Sequence, residues 1–433
     1  MPTSIAPTAL NVALLGCGVV GTEVARILTQ DAENLKFRVG AELNLIGIAV
    51  RDTSVPRSEI IDPALLTTDV EALVAKADIV VEVMGGIEPA KSYINQAIAS
   101  GAAVITANKA LLAQDGPALF QAADDAGVDL SFEAAVAGAI PIIRPIRESL
   151  AGDTIKRVLG IVNGTTNYVL DQMTKNDLAF DQAVAQAQEL GYAEADPTAD
   201  VEGHDAAAKA AILASLAFHT RVGITDVGCE GITKVTAQDV AWAKKSGHTI
   251  KLLAICEQTS QGISARVHPA LVPNEHPLAT VSGAFNAVFV EAENAGSLMF
   301  YGQGAGGAPT ASAIMGDLVS AARNRVAAGH GAGESAYANL PVLDQGETIT
   351  RYQIRLSVAD RSGVLYQITE VFSEHDVSIE TVTQAPRPDR EDEAYLIVTT
   401  HAGREKALAK TVAALEDLEV VQEIMSVLRV EGF

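Results

Sequence analysis

Residues 10–28, LNVALLGCGVVGTEVARIL, decide the fold of the N-terminal part of this chain. An apolar run of strand type enters Gly16-Cys17-Gly18-Val19-Val20-Gly21, and a segment of helical spacing leaves it. This is G-x-G-x-x-G in the setting a dinucleotide requires, with a strand before and a helix after. Gly16 allows the tight turn, Gly18 lets the backbone approach a pyrophosphate, and Gly21 permits close helix–strand contact. The free N–H groups at the helix start, those of Val19 and Val20 among them, meet the phosphates. A glycine-rich turn without a ligand is the alternative, and the flanking pattern disfavours it.

Further strands follow. LNLIGIAV (43–50) ends in Arg51-Asp52. An acid at the end of this strand suits the ribose hydroxyls of NAD, whereas an arginine suits the 2′-phosphate of NADP. Both stand side by side, with Arg57 a little further on, so NADP is favoured with NAD accepted. For Arg51 the alternative is a solvated charge at a strand end. DIVVEVMGG (78–86) ends in Gly85-Gly86, and AAVITANK (102–109) ends in Lys109. Ligands of open α/β sheets sit at such strand ends. Alternation of these strands with helices makes 1–150 an α/β domain with a doubly wound parallel Rossmann-type sheet, to which a helix at about 308–330 returns.

From about residue 151 the rhythm changes. Strand candidates KLLAICEQ, ISARVHPALV, FNAVFVEAE and LMFYGQGAG, with few helices between, indicate an α+β substrate and dimerisation domain over 151–307 with a mostly antiparallel sheet. Within it lies GYAEADPTADVEGHDAAAKAAIL (191–213), which sets Glu194, Asp196, Asp200 and Asp205 ahead of Lys209. Asp205 and Lys209 are four apart and share a helix face. Spacing alone favours an ordinary surface ion pair. The Ala, Ile and Leu around Lys209 and the hydride acceptor implied upstream point instead to a proton-transfer site. The glycine-rich loop Tyr301–Gly307 reads either as backbone that lies against the cofactor or closes the cleft, or as a flexible crossover between domains. Residues 331–350 have the Gly, Ala and polar content of a linker. Residues 351–433 follow a β-α-β-β-α-β order, the ferredoxin-like pattern, without a catalytic constellation.

The 433 residues carry a net charge of −23, which argues against nucleic acid and an anionic membrane surface as partners. Three cysteines without C-x-x-C spacing argue against a disulfide framework or a zinc site and fit a reducing cytoplasm. No signal peptide is expected, no run reaches eighteen apolar residues, and the stretch before the fingerprint is too short for a kinase domain.

GCGVVG, TANKALL (106–112), NGTTNY (163–168) and above all the pattern G-Y-x-E-x-D-P-x-x-D-x-x-G-x-D-x-x-x-K resemble homoserine dehydrogenase over residues 10 to about 330. The last 80 or so residues resemble an ACT domain, an amino-acid-binding regulatory module, with ADRSGVL (359–365) at its ligand turn. The resemblance implies NAD(P)-dependent interconversion of L-homoserine and L-aspartate 4-semialdehyde on the route to threonine and methionine. It implies Lys209 as acid/base, Asp205 as substrate ligand that fixes Lys209, Glu194 as holder of the substrate amine or hydroxyl, Asp200 as its assistant, and Lys109 at the cofactor–substrate border. Gly16, Gly18, Val19, Val20, Gly21, Arg51, Gly85, Lys109 and Gly302 form the cofactor set. A monovalent cation such as sodium is implied at Glu133, Val136, Gly138 and Ile140, chiefly through backbone oxygens. Threonine is the implied inhibitor, and a homodimer or homotetramer the implied assembly. The chain departs from many relatives in having Val55-Pro56 where they place a lysine. A thiol-dependent semialdehyde oxidation is disfavoured because Cys17 lies in the phosphate loop and Cys229 and Cys256 have no evident base. A non-catalytic sensor is disfavoured by Lys109 and Lys209 with their carboxylates. Removal of residues from 351 onward is expected to spare catalysis and abolish end-product inhibition.

Overall fold

The computed structural model describes residues 7–387, 389–390 and 392–432. They form two compact units. The first comprises the chain up to Gly164 with Ala208–Thr225 and Ala284–Leu340; the second comprises Thr165–Ala207, Asp226–Gly283 and the chain from Pro341 onward.

The first unit is built on six parallel strands: β1 (Ala9–Leu15), β2 (Glu42–Ala49), β3 (Leu66–Thr67), β4 (Ile79–Glu82), β5 (Ala103–Thr106) and β6 (Leu130–Ser131). Their order is β3-β2-β1-β4-β5-β6, which reverses direction at β1 and β4. Along each strand alternate side chains enter different cores, as a period of two requires. Leu10, Val12 and Leu14 of β1, with Ile79, Val81 and Ile105, pack under helices α1 (Val19–Gln30) and α2 (Ala32–Val39) and the returning helix Gly307–Val326. Ala13, Leu15, Val80 and Val104 pack on the other face under α3 (Val70–Val74), α4 (Ala90–Ala99) and α5 (Lys109–Ala126). Covering both faces explains why β4 and β5 are apolar without alternation up to their last residues, Glu82 and Thr106. The unit also holds an antiparallel trio, Ile155–Ile161, Phe285–Ala292 and Gly296–Gln303.

In the second unit the hairpin of His248–Thr259 and Gly262–Pro273 carries Val421–Val430 alongside it in parallel. Beyond that strand lie Tyr352–Ala359, Glu393–Thr400 and Ile379–Pro386, all antiparallel to their neighbours. Helices Val364–Glu374 and Glu405–Glu416 close one face of these four strands over a core that includes Ile354, Leu356, Ile368, Phe372, Leu396 and Leu408. The ferredoxin-like order expected of residues 351–433 is therefore present. Its sheet is continuous with the preceding hairpin, so the sheet is mixed rather than purely antiparallel.

The linker reading needs correction. Gly331 N donates to Asp129 (2.6 Å), Glu334 N to Asp124 (3.1 Å) and Leu340 N to Thr220 (3.0 Å), so 331–340 is a strap bonded along its length. Ile349–Thr350 then pairs with Gly403–Arg404. Among the described residues no helix is long and apolar enough to cross a membrane.

Candidate active site

The carboxyl ends of β1, β2 and β4 frame a cleft of about 840 Å³ lined by Gly16, Gly18, Arg51, Asp52, Arg57 and Gly85, among others. Two glycines of the first loop are fixed by the protein's own packing. A Cβ on Gly21 would lie 2.2 Å from the Gly16 carbonyl oxygen, and one on Gly16 (φ +107°) would lie 2.9 Å from that of Val83. Gly18 differs: a Cβ there meets nothing within 4 Å, so the space above it is open to a ligand. Gly18 precedes α1, whose first turn, Val19 to Gly21, presents backbone donors. Val19 is 76% exposed. These features fit the pyrophosphate of a dinucleotide.

At the β2 end, Asp52 accepts from the amide (2.8 Å) and hydroxyl (2.7 Å) of Ser54, and the Ser54 hydroxyl chiefly holds its pKa below the usual carboxylate value. Arg57 donates to the Cys17 carbonyl (3.1 Å) inside the glycine loop, while Arg51 is exposed on the cleft wall. Two guanidinium groups thus line this end of the cleft. Arg57's bond to the loop spans 40 residues, and only its proximity in sequence to Arg51 hinted at it.

The β4 end is organised by Glu82, a buried carboxylate that sequence reasoning missed. It accepts from Met84 N (2.7 Å), Gly85 N (3.1 Å) and the Thr106 hydroxyl (2.6 Å). Thr106 in turn accepts from Asn108 N (3.0 Å); the Asn108 amide donates to Gly86 O (2.6 Å) and caps α5 through Leu111 N (3.2 Å). The network fixes the Gly85-Gly86 turn and the helix start that carries exposed Lys109. The available signal was an acid inside an apolar strand, DIVVEV.

The second glycine loop is packed, not a flexible crossover. Gln303 O accepts from Ala139 N (3.1 Å), a Cβ on Gly302 would lie 3.3 Å from Ile140, and one on Gly307 would lie 2.8 Å from Val19. It therefore bridges the start of α1 and the segment 138–140. That segment holds two of the expected cation residues. Ala137 and Gly138 both take φ near +57°, turning the chain sharply between Val136 and Ile140. The Glu133 carboxylate is already engaged, accepting from the amides of Ile142, Ile143 and Arg144 and from Arg144 Nε. Asp317 accepts from Glu133 N (2.8 Å), and burial pushes its pKa up to about 7.

Lys209 is 7% exposed and its ammonium donates to the Val162 carbonyl at 2.7 Å, just past the end of Ile155–Ile161. Asp205 is 8% exposed. Their helix, His204–Ala217, is buried from Asp205 through Leu213, so a solvated surface pair is excluded. In the second unit Glu194 is exposed and Asp200 half-buried. Asp196 serves the local backbone. It accepts from Thr198 N (3.1 Å) and the Thr198 hydroxyl (2.6 Å) and opens the turn Thr198–Val201. Asn167 accepts from Lys251 (3.0 Å), which also donates to Val281 O, and burial lowers the Lys251 pKa to about 8. Among the described residues no cluster of three or more His, Cys, Asp or Glu could hold a metal.

A doubly wound sheet with a glycine-walled cleft at its switch point, joined to a ferredoxin-like module, defines a dinucleotide-binding protein with a C-terminal regulatory-type domain. Family models agree: "Homoserine dehydrogenase, NAD binding domain" matches 16–133, "Homoserine dehydrogenase" matches 141–319, and "ACT domain" matches 352–420. The homoserine dehydrogenase of Mycobacterium tuberculosis is 58% identical over 433 residues, covering 98% of each chain. The crystal structure of a homoserine dehydrogenase from Thiobacillus denitrificans superposes with a TM-score of 0.91 at 40% identity, covering 98% of this chain and 99% of that one. A hyperthermophilic archaeal homoserine dehydrogenase in complex with NADPH matches at TM-score 0.62 and 27% identity over 72% of this chain and 97% of that one. The chain belongs to the homoserine dehydrogenase family and carries its NAD-binding, catalytic and ACT domains.

Proposed function

We propose that the chain interconverts L-homoserine and L-aspartate 4-semialdehyde in threonine and methionine biosynthesis, in the cytoplasm, with Lys209 as acid/base and NADP as the favoured cofactor, NAD being accepted. The supporting observation is the burial of Lys209 with its ammonium on the Val162 carbonyl. Oxidising an alcohol removes a hydride and a proton, and the bound nicotinamide accepts the hydride. Lys209 handles the proton at the substrate hydroxyl oxygen. In the reducing direction its ammonium is the donor; in the oxidising direction the amine is the acceptor. The Val162 carbonyl accepts from the Lys209 ammonium. The same carbonyl orients the amine, and a buried helix keeps bulk water from competing for the proton.

Arg51 and Arg57 would hold the 2′-phosphate of NADP, and the first turn of α1 the pyrophosphate. Lys109, Glu194, Asp200 and Asp205 would bind the substrate. Backbone oxygens of Glu133, Val136, Gly138 and Ile140 would hold a monovalent cation such as sodium. Threonine at the ACT domain is the proposed inhibitor, and the enzyme is proposed to work as a homodimer or homotetramer.

The test is an absorbance assay at the nicotinamide band with homoserine and either NADP or NAD. Lys209→Met should lower kcat by about 10²–10⁴-fold, the usual weight of a general acid/base, while nucleotide still binds. Turnover retained in that variant would overturn the assignment of Lys209.

A further inference from the structure

The C-terminal module is held to the substrate-bearing turn by one continuous edge. Strand Gly262–Pro273 uses the same edge twice: Arg266 and Val267 pair with Gly228 and Cys229, and Ala270 and Leu271 pair with Arg429 and Val430. Two segments from distant parts of the chain therefore abut end to end. Glu230, whose amide donates to Val267 O (2.8 Å), follows the first. Arg429 lies in the second and meets it: Arg429 Nη1 is 2.6 Å from the Glu230 carboxylate.

Arg429 is anchored on the module side as well. Its Nη2 (2.6 Å) and Nε (3.2 Å) donate to Glu405, which also accepts from the Tyr352 hydroxyl (2.8 Å). The Tyr352 ring lies 5.6 Å from the guanidinium carbon. Three hydrogen bonds to two carboxylates leave Arg429 little freedom. Burial and the Glu405 carboxylate raise the Tyr352 pKa, so the hydroxyl stays a donor.

On the other side, the segment after Glu230 is pressed onto the turn of the carboxylates. Ile232 N donates to Val201 O (2.7 Å), and the Cys229 thiol donates to Glu202 O (3.3 Å). A Cβ on Gly231 would fall 2.2 Å from Val201 O and 2.4 Å from the Glu202 Cα; one on Gly203 would fall 3.1 Å from Cys229 Sγ. At Gly231 backbone lies on backbone, with no flexible side chain between to absorb a shift. Asp200 immediately precedes this contact and Asp205 closely follows it.

We propose that Arg429 of the C-terminal module is a positioning residue for the substrate turn, acting through Glu230 and the backbone of 229–232 on Asp200 and Asp205. The proposal rests on the reading of those two carboxylates as substrate ligands. It gives the C-terminal module a part in substrate binding as well as in regulation, so removal of residues from 351 onward raises KM for homoserine.

The test uses full-length enzyme and homoserine oxidation, with Glu230→Gln, Arg429→Met, Arg429→Lys and the Glu230→Gln/Arg429→Met double variant. KM for homoserine should rise about tenfold in each of the first two, the equivalent of one charge-assisted hydrogen bond at about 1.4 kcal/mol. kcat and KM for NADP should stay within about twofold, whereas a merely structural defect would lower the active fraction, and with it kcat, and leave KM alone. Arg429→Lys should recover part of the loss. The double variant should be no worse than either single one, since both remove the same contact. Glu230→Gln guards against misfolding, because the Glu230 side chain is 38% exposed and Arg429 keeps Glu405. An unchanged homoserine KM in Glu230→Gln would overturn the proposal. Wild-type enzyme that does not oxidise homoserine would instead refute the substrate reading itself, and the two failures are separately visible.

Discussion

Gly18→Ala separates a glycine required by a ligand from one required by the fold. Gly18 sits at φ −85° and ψ −159°, which alanine adopts without strain, and the added methyl meets no atom within 4 Å. Replacing glycine at such a position restricts the unfolded chain and stabilises the protein by roughly 0.4–1 kcal/mol. The same methyl occupies the space through which a pyrophosphate would reach the donors of α1. Displacing it by one or two charge-assisted hydrogen bonds costs about 1.5–3 kcal/mol, which is about 10- to 100-fold in Kd. Gly21→Ala is the counterpart. Its methyl would lie 2.2 Å from the Gly16 carbonyl oxygen, so the loop or α1 must move. Overpacking of that kind destabilises by roughly 1–3 kcal/mol. The assay pairs thermal unfolding of the apoprotein with an NADPH fluorescence titration. Gly18→Ala should melt at or above the wild-type temperature and bind weakly; Gly21→Ala should lose both stability and binding. Wild-type NADPH affinity in a folded Gly18→Ala variant would refute the placement of the pyrophosphate over this loop.

Arg51→Ala should weaken NADP binding by about tenfold, the weight of one lost charge-assisted contact, and leave NAD binding nearly unchanged. Arg57→Ala should weaken both, because Arg57 also braces the Cys17 carbonyl; equal effects of Arg51→Ala on the two cofactors would contradict the 2′-phosphate assignment. Lys251 supplies a pH test of stability. Its pKa falls from 10.5 to about 8 because burial disfavours the charge, so between those values the unfolded chain binds more protons than the folded one. Stability therefore rises with pH across that window, by about 3 kcal/mol. Lys251→Met should flatten that rise in denaturant midpoints measured from pH 7.5 to 10, and parallel curves for the two proteins would show that the burial of Lys251 has no such consequence.

How much of this was legible beforehand follows from how far each constraint reaches along the chain. Gly16 and Gly21 were readable because their requirement is local: a turn and a helix start within six residues, each with a fixed residue type. Lys209 was readable as buried because the helix around it is almost wholly apolar, although its spacing from Asp205 alone suggested a surface pair. The partners of Glu82 could not be read, since Thr106 lies 24 residues away and nothing in either segment encodes the other. Glu230 and Arg429 are 199 residues apart and meet only because two segments share one strand edge. Edge pairing uses backbone groups that every residue carries, and so it leaves no side-chain signature.

Residues 331–340 show why composition misled. Small residues serve a chain that must stay free and also a chain that must lie flat against a surface, because a missing Cβ gives both freedom and close approach. A Cβ on Gly333 would fall 2.4 Å from the Asp124 carboxylate, and one on Gly331 would fall 2.9 Å from that of Asp129. These glycines are therefore there for contact. Arg147 donates to the carbonyls of Ala332 and Gly333, and Arg221 holds Glu334 with two hydrogen bonds (3.1 and 2.6 Å). The positive charges that fix the strap come from segments more than a hundred residues earlier in the chain. A linker and a strap can thus share one composition, and what distinguishes them is whether charged partners elsewhere in the chain are placed to receive the backbone.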